Sequence, residues 1–499
     1  MNNQYDKNSF QWILGDSMIY KTVTELAKLI QKKEISSVEI LDSLLKRIKD
    51  KNPQLNAVVA LDADRALEKA KKADELTMQG KSLGPLHGIP MTIKDAYEVE
   101  GLVSTGGDPN WKNNIPSKNA EAVQHLVNAG AIIFGKTNVP YHSADIQSYN
   151  EIYGVSNNPW DFERTPGGSS GGSAASLAAG MSPLELGSDI GGSIRTPAHF
   201  CGVYGHKPTY NIVSEVGHLP PPPGFILTGN GLSVAGPLAR SPEDLEVAMK
   251  VLAAPQAQDS IAWSIKLPKP KINDVKKLKV AVWPEEESAE IDEQIRNLID
   301  ETAEDLKSAG AQVETVSPPF TFDQVDDIYS KLVHPIMSAG GDKETLTSVD
   351  ALALDLKDDD FSELAKIARG TSLRARDYVV NNARRHLIKQ KWQKFFDEYH
   401  VMLSPVCAVP AIKHNHAPLI DRTINVNGKE KQYWHTTIWA GPVVMANLPS
   451  TSVPIGLTKE GLPVNLQVIG PHLHDLTCIE VSKMIRDIRG GFRIPPGFE

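Results

Sequence analysis

Between Pro166 and Gly180 the chain carries almost no side-chain volume: Pro-Gly-Gly-Ser169-Ser170-Gly-Gly-Ser173-Ala-Ala-Ser-Leu-Ala-Ala-Gly. A flexible Gly/Ser linker has a similar composition, but a linker is more often followed by polar sequence. Here the run enters a helix of small residues directly, and such a helix packs closely in a core. A second run, Gly187-Ser188-Asp189-Ile190-Gly191-Gly192-Ser193-Ile-Arg195-Thr196-Pro197, places Ser193 24 residues after Ser169. Consecutive N–H groups in a glycine turn form an anion-binding nest, and Thr196 and Pro197 suit the start of a helix. A serine hydroxyl beside such a nest is what acyl transfer requires: the hydroxyl attacks and the nest holds the oxyanion. The same residues also suit a plain tight turn between elements.

A third candidate is Lys94, in Gly88-Ile-Pro-Met-Thr-Ile-Lys94-Asp95. A lysine that ends an apolar strand usually snorkels to the surface. Once buried, its charged form is desolvated and the neutral amine becomes available as a base near pH 7. Keeping it neutral there costs the fold about 4 kcal/mol.

Around these segments the pattern alternates. Thr22-Val-Thr-Glu25 and Ser36-Ser-Val-Glu39 read as capping boxes, the second followed by Val38, Leu41, Leu44, Leu45 and Ile48 on one helical face. A third helix is expected over residues 62–74. Strands are expected ending at Lys94, over 131–134 after a helix at 120–129, over 278–282, 312–316 and 401–405, and as a hairpin over 450–457 and 462–469. Strand 278–282, helix 291–306 and strand 312–316 form a βαβ unit, so the sheet is at least partly parallel. Residues 213–235, with Pro220 to Pro223, read as a long loop. No stretch reads as a domain linker. A single domain over 1–499 is expected, with an N-terminal helical part at about 20–75 and a helical elaboration at about 320–400 acting as a lid or flanking layer.

The net charge of −9 gives a nucleic-acid role no support. The lysines at 69, 71 and 72 suit a solvated helix face. The three cysteines, Cys201, Cys407 and Cys478, are far apart and read as buried thiols rather than a disulfide or zinc framework. The start shows no secretory pattern, and no run approaches the ~18 apolar residues of a membrane span. A cytoplasmic protein without metal or cofactor is the expectation. His414 and His416 sit in a loop-like run and read as solvent-facing.

The chain resembles the amidase signature family. The likeness rests on GIPMTIKD, GKTNVP, NNPWDFERTPGGSSGGSAA, GSDIGGSIRTPAHFCGVYGHKPT and GLPVNLQVIG, and covers nearly the whole length. It implies one α/β/α domain around a central mixed sheet. It implies Ser193 as nucleophile, Ser169 as a bridging serine after a cis peptide, and Lys94 as the base. The N–H groups of Ile190, Gly191, Gly192 and Ser193 match the oxyanion hole. Ser170, Asp189 and Arg195 match supporting positions. The segment Tyr141 to Asn150 matches one that lines the acyl site in relatives, where Ser143 presents its main-chain carbonyl.

The activity implied is hydrolysis of carboxylic amide C–N bonds, with esters as a side activity. By overall likeness the substrate is a small-molecule or acyl amide, as in small-molecule and fatty-amide hydrolases. The alternative is the glutamine-hydrolysing A subunit of an amidotransferase complex. Oligomeric state is not legible, and a homodimer is one arrangement open to the chain. The aromatic stretch Trp434 to Trp439 fits either a substrate channel or core packing. Gly167-Gly-Ser169-Ser-Gly171 also satisfies the G-x-S-x-G elbow of Ser-His-Asp hydrolases, with Asp421 and His435 able to complete the set. That elbow has to follow a buried strand, and residues 157–166 read as loop.

Overall fold

The structure is a computed structural model of the 499-residue chain, describing residues 18–225, 229–357, 359–360 and 362–499. Eleven strands form one sheet: β1 Val58–Leu61, β2 Pro90–Lys94, β3 Ile132–Thr137, β4 Leu184–Asp189, β5 Tyr204–Lys207, β6 Val234–Ala239, β7 Lys279–Val282, β8 Gln312–Thr315, β9 Val401–Pro405, β10 Ser450–Leu457 and β11 Pro463–Ile469. Their order is β1-β3-β2-β4-β6-β5-β10-β11-β9-β7-β8. The sheet is mixed: β2 runs parallel to β3 and to β4, and β7 is parallel to β8 and β9, while β6, β10 and β11 pair antiparallel with their neighbours. Helices flank it, as the family likeness implies.

Both capping boxes form, at the starts of helices Val23–Gln31 and Ser37–Leu55. The βαβ unit runs through the helix Glu293–Ser308, and the hairpin joins β10 to β11. The third N-terminal helix extends to Met78. Residues 322–395 form four helices, Phe322–Met337, Lys343–Asp355, Glu363–Thr371 and Ala375–Phe395. No helix among the described residues is long and apolar enough to cross a membrane. All three cysteines are free and buried.

Strands β1, β4, β5 and β6 escape a reading of the sequence. β4 carries Gly187 and ends in Ser188 and Asp189, and β6 carries Gly236 and Pro237. Glycine and proline lower the strand signal wherever they stand. The loop expected over 213–235 therefore ends two residues early, at the start of β6.

The small-residue segment meets the demand its composition makes. The helix Gly171–Ala178 is buried along its length and packs on β2, β3 and β4. A Cβ on Gly172 would lie 2.3 Å from the Asn138 nitrogen and 2.7 Å from the Ala57 oxygen, both backbone atoms. Only glycine permits that approach.

Candidate active site

Register brings the polar residues together. β2 and β4 run parallel, with Thr92 opposite Glu185 and Ile93 opposite Leu186. Lys94, at the carboxyl end of β2, is thereby level with Gly187 and Ser188 near the end of β4. The loop before Gly171 delivers Ser169 against the same point. Lys94 Nζ and Ser169 Oγ are joined by a 2.6 Å hydrogen bond, and Lys94 Nζ donates to Ser188 Oγ at 2.9 Å. The Gly168–Ser169 peptide is cis.

Lys94 is fully buried. Desolvation pulls its pKa down from 10.5 to about 7, opposed by the charge of Asp189. The fold bears the cost of that depression in full below pH 7 and sheds it as pH rises toward 10.5.

Ser193 lies on the turn that follows β4. Its carbonyl accepts the Ser170 amide at 3.1 Å, which pins the turn to the Ser169–Ser170 corner. Its hydroxyl makes no hydrogen bond with another described residue. Ser193 is also 9% exposed, against 1% for Ser169 and none for Lys94. The order from solvent inward is thus Ser193, Ser169, Lys94.

Asp189 and Arg195 hold this turn. Asp189 takes Arg195 Nε on Oδ2 and Nη2 on Oδ1, each at 3.0 Å. It also accepts the amides of Gly192 at 2.9 Å and Ile194 at 3.1 Å. Burial pushes the Asp189 pKa up, but the Arg195 guanidinium more than offsets this and leaves the carboxyl at about 2. Arg195 Nη1 continues to Gln467 Oε1 on β11 at 2.9 Å. The Gly192 amide thus faces the Asp189 carboxylate and is not free to meet an oxyanion, unlike the expectation from likeness. The amides of Ile190, Gly191 and Ser193 have no acceptor among the described residues. Gly192 has φ +104°, the left-handed region in which glycine is at home.

Ser170 starts the small-residue helix and directs its hydroxyl toward the Ser188 carbonyl at 3.5 Å. Ser143, with φ 58°, sits in the loop whose next residues press on the cis corner. A Cβ on Gly168 would lie 2.4 Å from the Asp145 oxygen.

Three contributors were not singled out from the sequence. Ser188 is two residues before the first nest residue, Ile190, on the same strand. His218 reaches Ser188 from the proline-rich loop, and Tyr329 reaches in from the covering helix Phe322–Met337. Tyr329 Oη donates to the Ile190 carbonyl at 2.8 Å. Beside Gly192 stand Thr437 and Ala440. The aromatic stretch divides accordingly. Trp439 is core: it is fully buried, its indole N–H donates to the Ala289 carbonyl at 3.0 Å, and it packs on Trp283 and Phe322. Its neighbours Thr437 and Ala440 face the nest.

The Ser-His-Asp reading of Ser169 meets the wrong surroundings. Ser169 follows a loop rather than a strand. His435 is occupied by the Glu290 carbonyl at 2.7 Å, and the group on Ser169 Oγ is a lysine.

Comparison with known proteins gives three findings. A family model described as Amidase matches residues 39–479. The A subunit of the glutamyl-tRNA(Gln) amidotransferase of Geobacillus thermodenitrificans (strain NG80-2) is 32% identical, with 93% of this chain and 96% of that protein covered. Among solved structures, a bacterial aryl acylamidase of the amidase signature enzymes superposes with a TM-score of 0.78 at 25% identity, covering 96% of this chain and 99% of that one. The glutamyl-tRNA(Gln) amidotransferase A subunit from Thermotoga maritima gives 0.75 at 25% identity, covering 96% and 98%.

Proposed function

Since the chain belongs to the amidase signature family and is thereby a hydrolase of amide C–N bonds, we propose that it cleaves small, uncharged acyl amides through an acyl-enzyme on Ser193. Neutral Lys94 takes the proton of Ser169 as Ser169 takes that of Ser193. The freed Ser193 oxygen attacks the carbonyl carbon. The amides of Ile190, Gly191 and Ser193 receive the resulting oxyanion, each good donor being worth roughly 3–4 kcal/mol in rate. The proton then returns through Ser169 to the leaving nitrogen, and water discharges the acyl-enzyme by the same path. The relay requires the Ser193 hydroxyl, which has no partner among the described residues, to turn onto Ser169 once a substrate carbonyl is seated.

The observation that supports the choice of substrate is that the side chains nearest the glycine turn from outside it are uncharged. Tyr329, Thr437 and Ala440 are the nearest side chains to Gly191 and Gly192 from beyond the turn, and none of the three carries a charge. A free amino acid brings an ammonium and a carboxylate, whose desolvation requires opposite charges. A neutral acyl group requires none.

A second reading, glutamine hydrolysis within an amidotransferase, is favoured by the names of the curated relatives, which are amidotransferase A subunits with 30–33% identity. The two separate in one assay of the purified chain. We expect turnover of acyl anilides and simple acyl amides without a partner, and none of L-glutamine. Glutamine turnover that appears only with added partner subunits would establish the second reading.

A pH profile follows from the depressed lysine. The base must be neutral, and its pKa stands at about 7. Acylation is therefore at its plateau above neutrality and falls about tenfold per pH unit below it. A rate that stays flat to pH ~4 would exclude a neutral-lysine base.

A further inference from the structure

We propose that His218 is a positioning residue that reserves the lone pair of Lys94 for Ser169, by drawing the Ser188 hydroxyl proton away from the amine. This rests on the lysine-base reading above.

Proton counting along one chain of contacts carries it. His218 Nδ1 lies 3.2 Å from the Pro220 carbonyl oxygen. A carbonyl only accepts, so Nδ1 holds the ring proton and Nε2 is bare in the neutral imidazole. Nε2 lies 2.9 Å from Ser188 Oγ, so the serine must donate there. With its one proton spent, Ser188 turns only lone pairs toward Lys94, 2.9 Å away. Lys94 therefore donates an N–H to Ser188. A neutral amine has two N–H groups and one lone pair, and the lone pair is left for the hydroxyl of Ser169 at 2.6 Å.

Without His218 the balance changes. The Ser188 proton is then divided between the Tyr97 phenol oxygen, whose own proton goes to the Gly187 carbonyl, and Lys94, and whenever it points at Lys94 two hydroxyls compete for one lone pair. One of them leads to Ser193. The other leads nowhere.

The ring is kept neutral by its surroundings. It is buried against the edge of Tyr97, with ring centroids 5.0 Å apart. Its backbone amide donates to the Glu215 carbonyl at 3.0 Å. Burial, and then the charge of Lys94, hold its pKa down to about 4. A charged ring would donate from Nε2 and undo the arrangement. Nothing in the reaction asks His218 to touch substrate.

The test is a double-mutant cycle on an acyl 4-nitroanilide, with His218→Leu, Ser188→Ala, the double variant, His218→Gln and the Ser193→Ala control. We expect His218→Leu to lower kcat about 10-fold or more with little change in KM. His218→Gln should recover most of the loss, because its amide oxygen can accept the Ser188 proton. The double variant should be no slower than Ser188→Ala alone, because no competitor is left to restrain. Should His218→Leu fail to fold, His218→Asn replaces it: it keeps a polar group near Pro220 but falls short of Ser188, and the same deficit is expected. Additive losses, a Gln variant as slow as Leu, or an unimpaired His218→Leu would each overturn the proposal. If Ser193→Ala, or Lys94→Ala assayed beside it, turns over the anilide at the parent rate, the reading on which the proposal rests has failed instead.

Discussion

Ser193→Ala is expected to reduce amide turnover by about 10⁴-fold or more while leaving the thermal unfolding midpoint close to that of the parent. The two halves of this expectation come from different features. In the proposed route the hydroxyl is the attacking group, and removing a nucleophile forfeits that route outright. Yet Ser193 Oγ has no partner among the described residues, and the turn is held by its backbone: Ser193 carbonyl to Ser170 amide, Asp189 to Gly192, Ile194 and Arg195. Alanine leaves all of these in place. A fluorophosphonate adduct should map to Ser193 in the parent and vanish in the variant. Retention of the adduct, shifted to Ser169, would mean that the nucleophile has been misassigned.

Lys94→Ala is the second large effect, and it should discriminate between substrates. Anilide hydrolysis is expected to fall about 10³-fold, and hydrolysis of an activated ester of the same acyl group by at least 10-fold less than that. A leaving amine must be protonated as it departs, whereas an activated phenolate leaves unaided. In acylation, proton transfer through Ser169 therefore serves both attack and departure for the amide, and attack alone for the activated ester. Equal losses on both substrates would remove Lys94 from the protonation step. The acid limb of the pH profile should go with the lysine. Its persistence in Lys94→Ala would assign that limb to another group.

The parts of this site that a linear sequence displays are those written in local composition. Gly191 and Gly192 beside a serine announce a nest, and the alanine-serine helix announces a backbone approach that the Gly172 contacts then display. Lys94 can be singled out because it ends an apolar strand. What stayed hidden is whatever depends on pairing between distant segments. β4 and β6 carry glycine and proline where a strand pattern is sought, and their place between β2 and β5 follows only from the sheet. Ser188 looks like any serine until β4 is laid beside β2. His218 sits in a loop whose route across Ser188 no periodicity encodes, and Tyr329 lies 139 residues beyond the Ile190 carbonyl it touches. The Gly192 amide is the reverse case: the spacing offers it to an oxyanion, but the Asp189 carboxylate, not visible as its neighbour, claims it.

Tyr329 ties the helix Phe322–Met337 to the Ile190 carbonyl, and that hydrogen bond joins two parts of the site written far apart in the chain. The groups of the proposed proton path, Lys94, Ser169 and Ser193, and the Ser188–His218 pair beside it are all supplied by the stretch that ends before β6. The side chains nearest the turn from outside it, Tyr329, Thr437 and Ala440, come from the later part of the chain. On the proposed reading, drift in the later stretch would redraw which acyl groups are admitted while the chemistry stays untouched. An engineer seeking a new selectivity has a correspondingly short set of positions to randomise.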